Sequence, residues 1–172
     1  MSTAISTHIV PLTKREDVAE GTMAFHFAKP EDFQFRAGQS VDLTLLDPSE
    51  TDAEGATRTF SLASAPFEHH LMIATRMRDT AFKRVLRKVP LGLQVKIDGP
   101  GGSFVLHRKP GKPAILLAGG IGITPFRSVI RQAAHESAPH QIYLFYSNRR
   151  PEDAPFLDAL ASAAKQNSNF HF

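Results

Sequence analysis

The sequence has no cysteine, no tryptophan, only two tyrosines and no apolar run long enough to cross a bilayer. Without cysteine, these 172 residues hold no disulfide, no thiolate nucleophile and no cysteine-bound iron–sulfur cluster. The N-terminal stretch MSTAISTHIVPLTKRED lacks the apolar segment of a signal peptide, so a cytoplasmic setting away from membranes is expected. Zinc-ligand spacing is also missing: His69 and His70 are adjacent, His135, His140 and His171 are scattered, and no metal is expected. Neither an internal repeat nor a low-complexity tract is found. Basic residues cluster at Arg76 to Arg78, Lys83 to Lys88, His107 to Lys112 and Arg149 to Arg150, but the net charge is only +3 and no nucleic-acid motif frames them. They read as a face for phosphates or an acidic partner rather than for nucleic acid.

Apolar residues make up 42% and charged residues 22% of the chain, the balance of a globular protein. A chain of this length buries about two thirds of its extended surface. Its first hundred or so residues alternate. Met23, Phe25 and Phe27 interleave with Ala24, His26 and Ala28; Val41, Leu43 and Leu45 with Asp42 and Thr44; and Leu71, Ile73, Thr75 and Met77 form a third such run. This period predicts half-buried antiparallel strands. Gly21, Pro30, Gly38, Asp47-Pro48 and Gly55 punctuate them, and the polar stretch 47–57 predicts an exposed loop. One helix interrupts the strands: Asp79 or Thr80 can cap it, Phe82, Val85, Leu86 and Val89 form its stripe, and Pro90 ends it. Short strands with long gaps between them favour a closed or nearly closed barrel.

After the connector HRKPGKP the texture changes. Ala114 to Ala118 is a continuous apolar run, predicted as a strand buried on both faces. Gly119, Gly120 and Gly122 follow, Thr124 is placed to cap a helix and Pro125 to start it, and Phe126, Val129, Ile130, Ala133 and Ala134 form its apolar side. Ile142 to Tyr146 predicts a second strand, Phe156, Leu157, Leu160 and Ala164 a second helix, and Asn169 to Phe172 the start of a third strand. This is the order of a parallel α/β layer. So few elements do not fill a doubly wound domain, so a fragment or truncated product is expected; the other reading is a short form whose exposed sheet edge pairs with a second copy as a homodimer.

Several of these segments carry a resemblance. Arg58-Thr59-Phe60-Ser61 resembles the R-x-Y-S flavin motif of the ferredoxin–NADP reductase family, with Phe60 where tyrosine is usual. Gly38-Gln39 resembles its P-G-Q element, with Ala37 in place of proline, and Gly99-Pro100-Gly101-Gly102-Ser103-Phe104 its G-P-x-G-x-F element. Leu117 to Pro125 looks like the nicotinamide-binding glycine motif of the family, which is not the G-x-G-x-x-G fingerprint, and Tyr146 to Arg150 resembles the segment after the second strand. The motifs stand in family order over nearly the whole chain. The resemblance implies a β plus α/β fold: a six-stranded antiparallel flavin-binding barrel over 1–108 and a partial parallel α/β nucleotide-binding domain over 109–172.

For the site, the resemblance implies FAD rather than FMN, with Arg58 on a flavin phosphate, Thr59 beside it, Phe60 flat on the isoalloxazine and Ser61 the catalytic hydroxyl near flavin N5. Ala74, Thr75 and Arg76 would line the cofactor and Thr80 would meet its phosphate at the helix start, where a hydroxyl and unpaired N–H groups favour an anion. Arg78 and Asp79 stand where glycines are usual. Gly119, Gly120, Gly122, Thr124 and Pro125 would hold the nicotinamide nucleotide, and Ser147, Arg149 and Arg150 its ribose, with the two arginines suiting the 2′-phosphate of NADPH over NADH. The implied activity is hydride transfer between nicotinamide and flavin and one-electron exchange with a separate ferredoxin or oxygenase partner. The rival is a flavin-binding module with little or no turnover, because the later acidic residue, cysteine-bearing strand and terminal aromatic of the family are not found.

Overall fold

The computed structural model describes residues 5–109 and 111–172. Its first part holds β1 (Ser6–Ala19), β2 (Thr22–Ala28), β3 (Ser40–Leu45), β4 (Thr57–Ser61), β5 (His70–Arg76), α1 (Ala81–Lys88) and β6 (Gln94–Gly101). The six strands form one antiparallel sheet in the order β4-β3-β6-β1-β2-β5. β1 serves two neighbours: Ser6 to Pro11 pair with β6, and Leu12 to Ala19 pair with β2 across register shifts that bend the strand. The end strands β4 and β5 are bridged by the residues just after β4. The Ala63 N–H donates to the Met72 carbonyl at 2.7 Å, and the Met72 N–H to the Ser64 hydroxyl at 3.0 Å. The barrel is therefore nearly closed, as the strand pattern predicts.

Leu12, Phe25, Phe27, Leu43, Leu71, Ile73 and Ile97 fill its interior, and α1 inserts Phe82 and Leu86 into the same core. Thr80 caps that helix, its hydroxyl accepting the Lys83 N–H at 3.4 Å. The predicted half-burial of β2 and β5 needs correction, because both strands are covered on both faces. Their outward Ala24, Met72 and Ala74 join Ala63 in a second apolar cluster roofed by Ile121 and Phe156 from the α/β layer. Small side chains there let the two layers approach closely.

That layer consists of β7 (Ala114–Gly119), a 3-10 turn (Gly120–Ile123), α2 (Thr124–His135), β8 (Ile142–Ser147), α3 (Leu157–Gln166) and β9 (Phe170–His171). The strands are parallel in the order β7-β8-β9. Parallel crossovers are right-handed. Two of them stepping the same way put both helices on one face, where Ala118, Ile123, Ile130, Ile142, Leu144, Leu160 and Phe170 pack together. The other face is bare, so the expectation that β7 is buried on both faces fails: Ile115 is 64% and Leu117 72% exposed. Thr124 also differs from expectation. It lies inside α2 rather than capping it, and its hydroxyl donates to the Ile121 carbonyl at 2.7 Å, closing the 3-10 turn. Among the described residues no helix is long and apolar enough to cross a membrane.

Two of the resemblance elements meet in the fold. Gln39 is buried and ties two segments, accepting the Arg36 N–H at 2.7 Å and donating to the Gly102 carbonyl at 3.1 Å. Its neighbour Gly38 has φ +97, and a Cβ there would overlap the Phe104 carbonyl oxygen. Gly21, by contrast, has φ +62 and open space around it. Gly38→Ala should therefore combine a collision with a backbone penalty of about 1–3 kcal/mol, whereas Gly21→Ala should cost only about 1–2 kcal/mol. Urea midpoints of the two variants check this; equal losses would show that the segment around Phe104 yields without strain.

Candidate functional site

A cleft of about 380 Å³ opens between β5 and the carboxyl ends of β7 and β8, lined by Thr75, Arg76, Arg78, Lys83, Gly119, Gly120, Ile121, Ser147, Asn148, Arg149 and Asp153. One wall comes from the barrel and the other from the α/β layer, at the sheet end where open α/β folds take ligands. Gly120 has φ +49, a left-handed conformation that favours glycine, and it faces the Arg76 guanidinium, whose Nη2 lies 3.8 Å from where a Cβ would sit. The Tyr146 hydroxyl lies 3.1 Å from the Gly120 carbonyl and 3.2 Å from that of Pro155, pinning the turn, and burial pushes its pKa up to about 12.

The cleft is strongly cationic. Among the described residues, no carboxylate lies within ion-pairing distance of Arg76, Arg78 or Arg149. Burial, and then the positive charge of Arg78 and Arg58, lowers the Lys83 pKa, and its Nζ donates to the Arg76 carbonyl at 2.7 Å. The Asn148 Oδ1 is buried with no protein partner among the described residues. Clustered cations, a glycine turn and an unmatched acceptor form a site suited to a multiply charged anion with donor groups.

Of the residues singled out in the sequence, Thr75, Arg76, Gly119, Gly120, Ser147 and Arg149 share this cleft. Arg150 lies in the adjoining hollow and is tied to Glu20 at 2.8 Å and Asp153 at 2.9 Å. Ala74 turns away into the apolar cluster under Phe156. Gly122 is exposed, and Pro125 stands in the first turn of α2. On β4, Arg58 is held by its own loop, the exposed Thr59 donates to Asp42 at 2.5 Å, Phe60 packs 5.9 Å from Phe82, and the half-buried Ser61 pairs with Ser40. Sequence reasoning left Lys83, Asn148 and Asp153 out of the site. Lys83 follows Thr80 by one helical turn, a spacing that could have flagged it.

Residues 116–172 match the family model described as an oxidoreductase NAD-binding domain. Ferredoxin–NADP reductase B of Sorangium cellulosum is 30% identical over 154 residues, covering 87% of this chain and 61% of the relative. Component C of the methane monooxygenase of Methylosinus trichosporium is 32% identical over 133 residues, covering 76% and 37%. Among solved structures, phthalate dioxygenase reductase superposes with a TM-score of 0.77 at 26% identity, covering 96% of this chain and 51% of that one. The Amycolatopsis cytochrome P450 reductase GcoB has the same fold, with a TM-score of 0.82 at 24% identity over 98% of this chain and 51% of that one. These matches relate the chain to the ferredoxin–NADP reductase type of flavoprotein. It spans less than two thirds of the length of these relatives.

The two layers are locked together beside the cleft. Glu68, with its side chain only 10% exposed, receives the Ala65 N–H at 2.7 Å and pairs with Arg127 at 3.2 Å and Arg131 at 3.5 Å. Arg127 also donates to the Ala63 carbonyl at 2.6 Å, and the buried Ser128 hydroxyl to the Ser64 carbonyl at 2.6 Å. Burial alone would raise the Glu68 pKa; Arg127, the Ala65 N–H and Arg131 outweigh it and hold the carboxyl below its usual range. On the same interface the His26 and His70 rings lie 4.7 Å apart, with Glu16 2.9 Å from His26. Burial lowers both imidazole pKa values, with Arg127 and Lys14 adding to it and a nearby carboxylate opposing it at each.

Acid should therefore weaken this fold in two stages. As pH falls below 6.5, the unfolded histidines take up protons that His26 and His70 resist in the folded state, so stability is lost. Below 4.5 the unfolded glutamate is protonated before the folded Glu68, and a second loss follows. Chemical denaturation across pH 4 to 8 should show the upper stage disappearing in a His26→Gln/His70→Gln variant and the lower one shrinking in Glu68→Gln. An upper stage that survives the histidine substitutions would place its origin elsewhere. At neutral pH, Glu68→Gln should also cost about 3 kcal/mol by leaving two half-buried guanidiniums without their charge partner.

Proposed function

We propose that the chain is the flavin- and nicotinamide-binding part of an NAD(P)H oxidoreductase that passes electrons between NADPH and a separate ferredoxin-like or oxygenase partner. Residues 1–108 form the flavin-binding unit and 109–172 the nucleotide-binding one. The observation that carries this reading is the cationic cleft, whose walls come from both units and whose floor is the glycine turn between β7 and α2. The relatives include a ferredoxin–NADP reductase and the reductase component of a propane 2-monooxygenase, which supports the partner class.

The chain's own residues do the holding and orienting. Gly119 and Gly120 let backbone N–H groups approach a pyrophosphate; Arg76, Arg149 and Lys83 neutralise it; Ser147 and the unmatched Asn148 Oδ1 offer partners to sugar or amide groups. Arg149, more than the tethered Arg150, is the residue available to a 2′-phosphate, and this favours NADPH. On the barrel side, Phe60 presents an aromatic face, Ser61 a hydroxyl, and Arg58 with Thr80 a phosphate cradle, which favours FAD. When bound, the two cofactors supply hydride and single-electron transfer. Ile121 and Phe156 pack on the apolar contact between the layers beside the cleft.

The test is anaerobic reduction of the FAD-reconstituted chain by NADPH and then NADH, followed by flavin absorbance. Reduction by NADPH in preference to NADH is expected. Arg149→Ala should weaken NADP⁺ binding by roughly tenfold or more, as for a lost charge-assisted phosphate contact, and leave NAD⁺ nearly unchanged. Equal loss for both nucleotides would remove the 2′-phosphate assignment. Flavin that binds but stays oxidised with both donors would favour a flavin-binding module without turnover.

A further inference from the structure

Arg58 is saturated by the loop that precedes it. Its Nη2 donates to Asp52 Oδ1 at 2.6 Å, its Nε pairs with Glu54 Oε2 at 2.9 Å, and its Nη1 is shared among the carbonyls of Thr57, Gly55 and Glu54 at 2.8, 2.9 and 3.1 Å. A guanidinium has a fixed set of N–H donors, and pairing with a phosphate through two parallel bonds requires two adjacent ones. With Nε, Nη1 and half of Nη2 occupied, that fork is closed. The same guanidinium lies 5.1 Å over the ring of Phe82, the second residue of α1, so this pairing takes place at the start of the helix that Thr80 caps. Asp52 also accepts the Glu54 N–H at 3.1 Å, which folds the loop back toward Arg58. A carboxylate from the loop thus stands at the helix start on the very arginine that a phosphate would use.

We propose that Asp52 and Glu54 are affinity-setting residues of the flavin site: an intramolecular carboxylate latch that occupies the phosphate cradle of Arg58 and that a phosphorylated flavin must displace. The latch rests on the reading of Arg58 as the flavin phosphate ligand. A phosphate carries more charge than a carboxylate and can accept from both edges of the fork, so it wins when flavin is present and loses when it is not. Riboflavin has no phosphate and leaves the latch shut. The loop therefore penalises phosphorylated flavins alone, and the penalty vanishes with the carboxylate charges.

The experiment compares the 172-residue chain with its Asp52→Asn/Glu54→Gln variant by fluorescence titration with FAD, FMN and riboflavin, and by calorimetry with inorganic pyrophosphate. Releasing an exposed charge pair of this kind should tighten FAD and FMN binding about fivefold, tighten pyrophosphate similarly, and leave riboflavin unchanged. In an Arg58→Ala background the same two substitutions should change nothing, which a merely structural effect on the loop would not produce. Unchanged or weaker FAD binding in the variant would overturn the latch, as would an equal gain for riboflavin. If neither chain binds any flavin while pyrophosphate still gains, the latch stands and the flavin reading of Arg58 falls. Indifference to pyrophosphate as well would overturn both.

Discussion

A carboxylate buried between two guanidiniums sets the relation between the two layers. Moving Glu68 from water to a site where a tenth of its side chain is exposed is unfavourable by itself, and Arg127 and Arg131 make it tolerable only where α2 lies against the residues that follow β4. Such a pair adds little net stability over an apolar contact of the same shape. What it supplies is geometry, since a small shift of α2 would leave buried charges unmatched. The apolar cluster of Ala24, Ala63, Met72 and Ala74 under Ile121 and Phe156 supplies the attraction. Together they face the Gly119 to Gly122 turn toward Arg76, and the cleft is the space left between them.

The periodicities at Met23 to Phe27 and Leu71 to Thr75 were legible because the barrel interior takes every second residue. Periodicity tells which residues share a face. It does not tell what that face meets. Ala24 was expected on the outer face of a half-buried strand and Ala74 against the cofactor, and both are roofed by the second layer, whereas Ile115 and Leu117 looked buried and lie on a bare sheet face. Both errors have one cause: the second face of a strand is decided by elements distant in the chain. The glycine turn was legible for the opposite reason, because backbone needing φ > 0 leaves its mark within a few residues.

The arginines divide along the same line. Arg58 is matched by carboxylates within six residues, but Arg150 is matched both by Asp153, three positions on, and by Glu20, 130 positions away, and Arg127 by Glu68, 59 positions away. Charge runs in the sequence therefore could not separate structural arginines from those left for a ligand. The fold separates them by pairing: Arg127, Arg131 and Arg150 knit segments together, while Arg76, Arg78 and Arg149 gather around one opening.

Gathering unpaired cations is unfavourable in itself, as the lowered Lys83 pKa shows, after burial, through its repulsion from Arg78 and Arg58. Asp153, among the described residues the one carboxylate on the cleft wall, is held low first by its bond to Arg150 and feels Arg76 and Arg149 only beyond that, so it offsets little of this repulsion. An anion bound in the cleft would relieve the strain and would touch both layers at once. Ligand binding and layer docking are then linked: whatever fills the cleft strengthens the interface made by Glu68 and its arginines, and loosening that interface withdraws cations from the ligand.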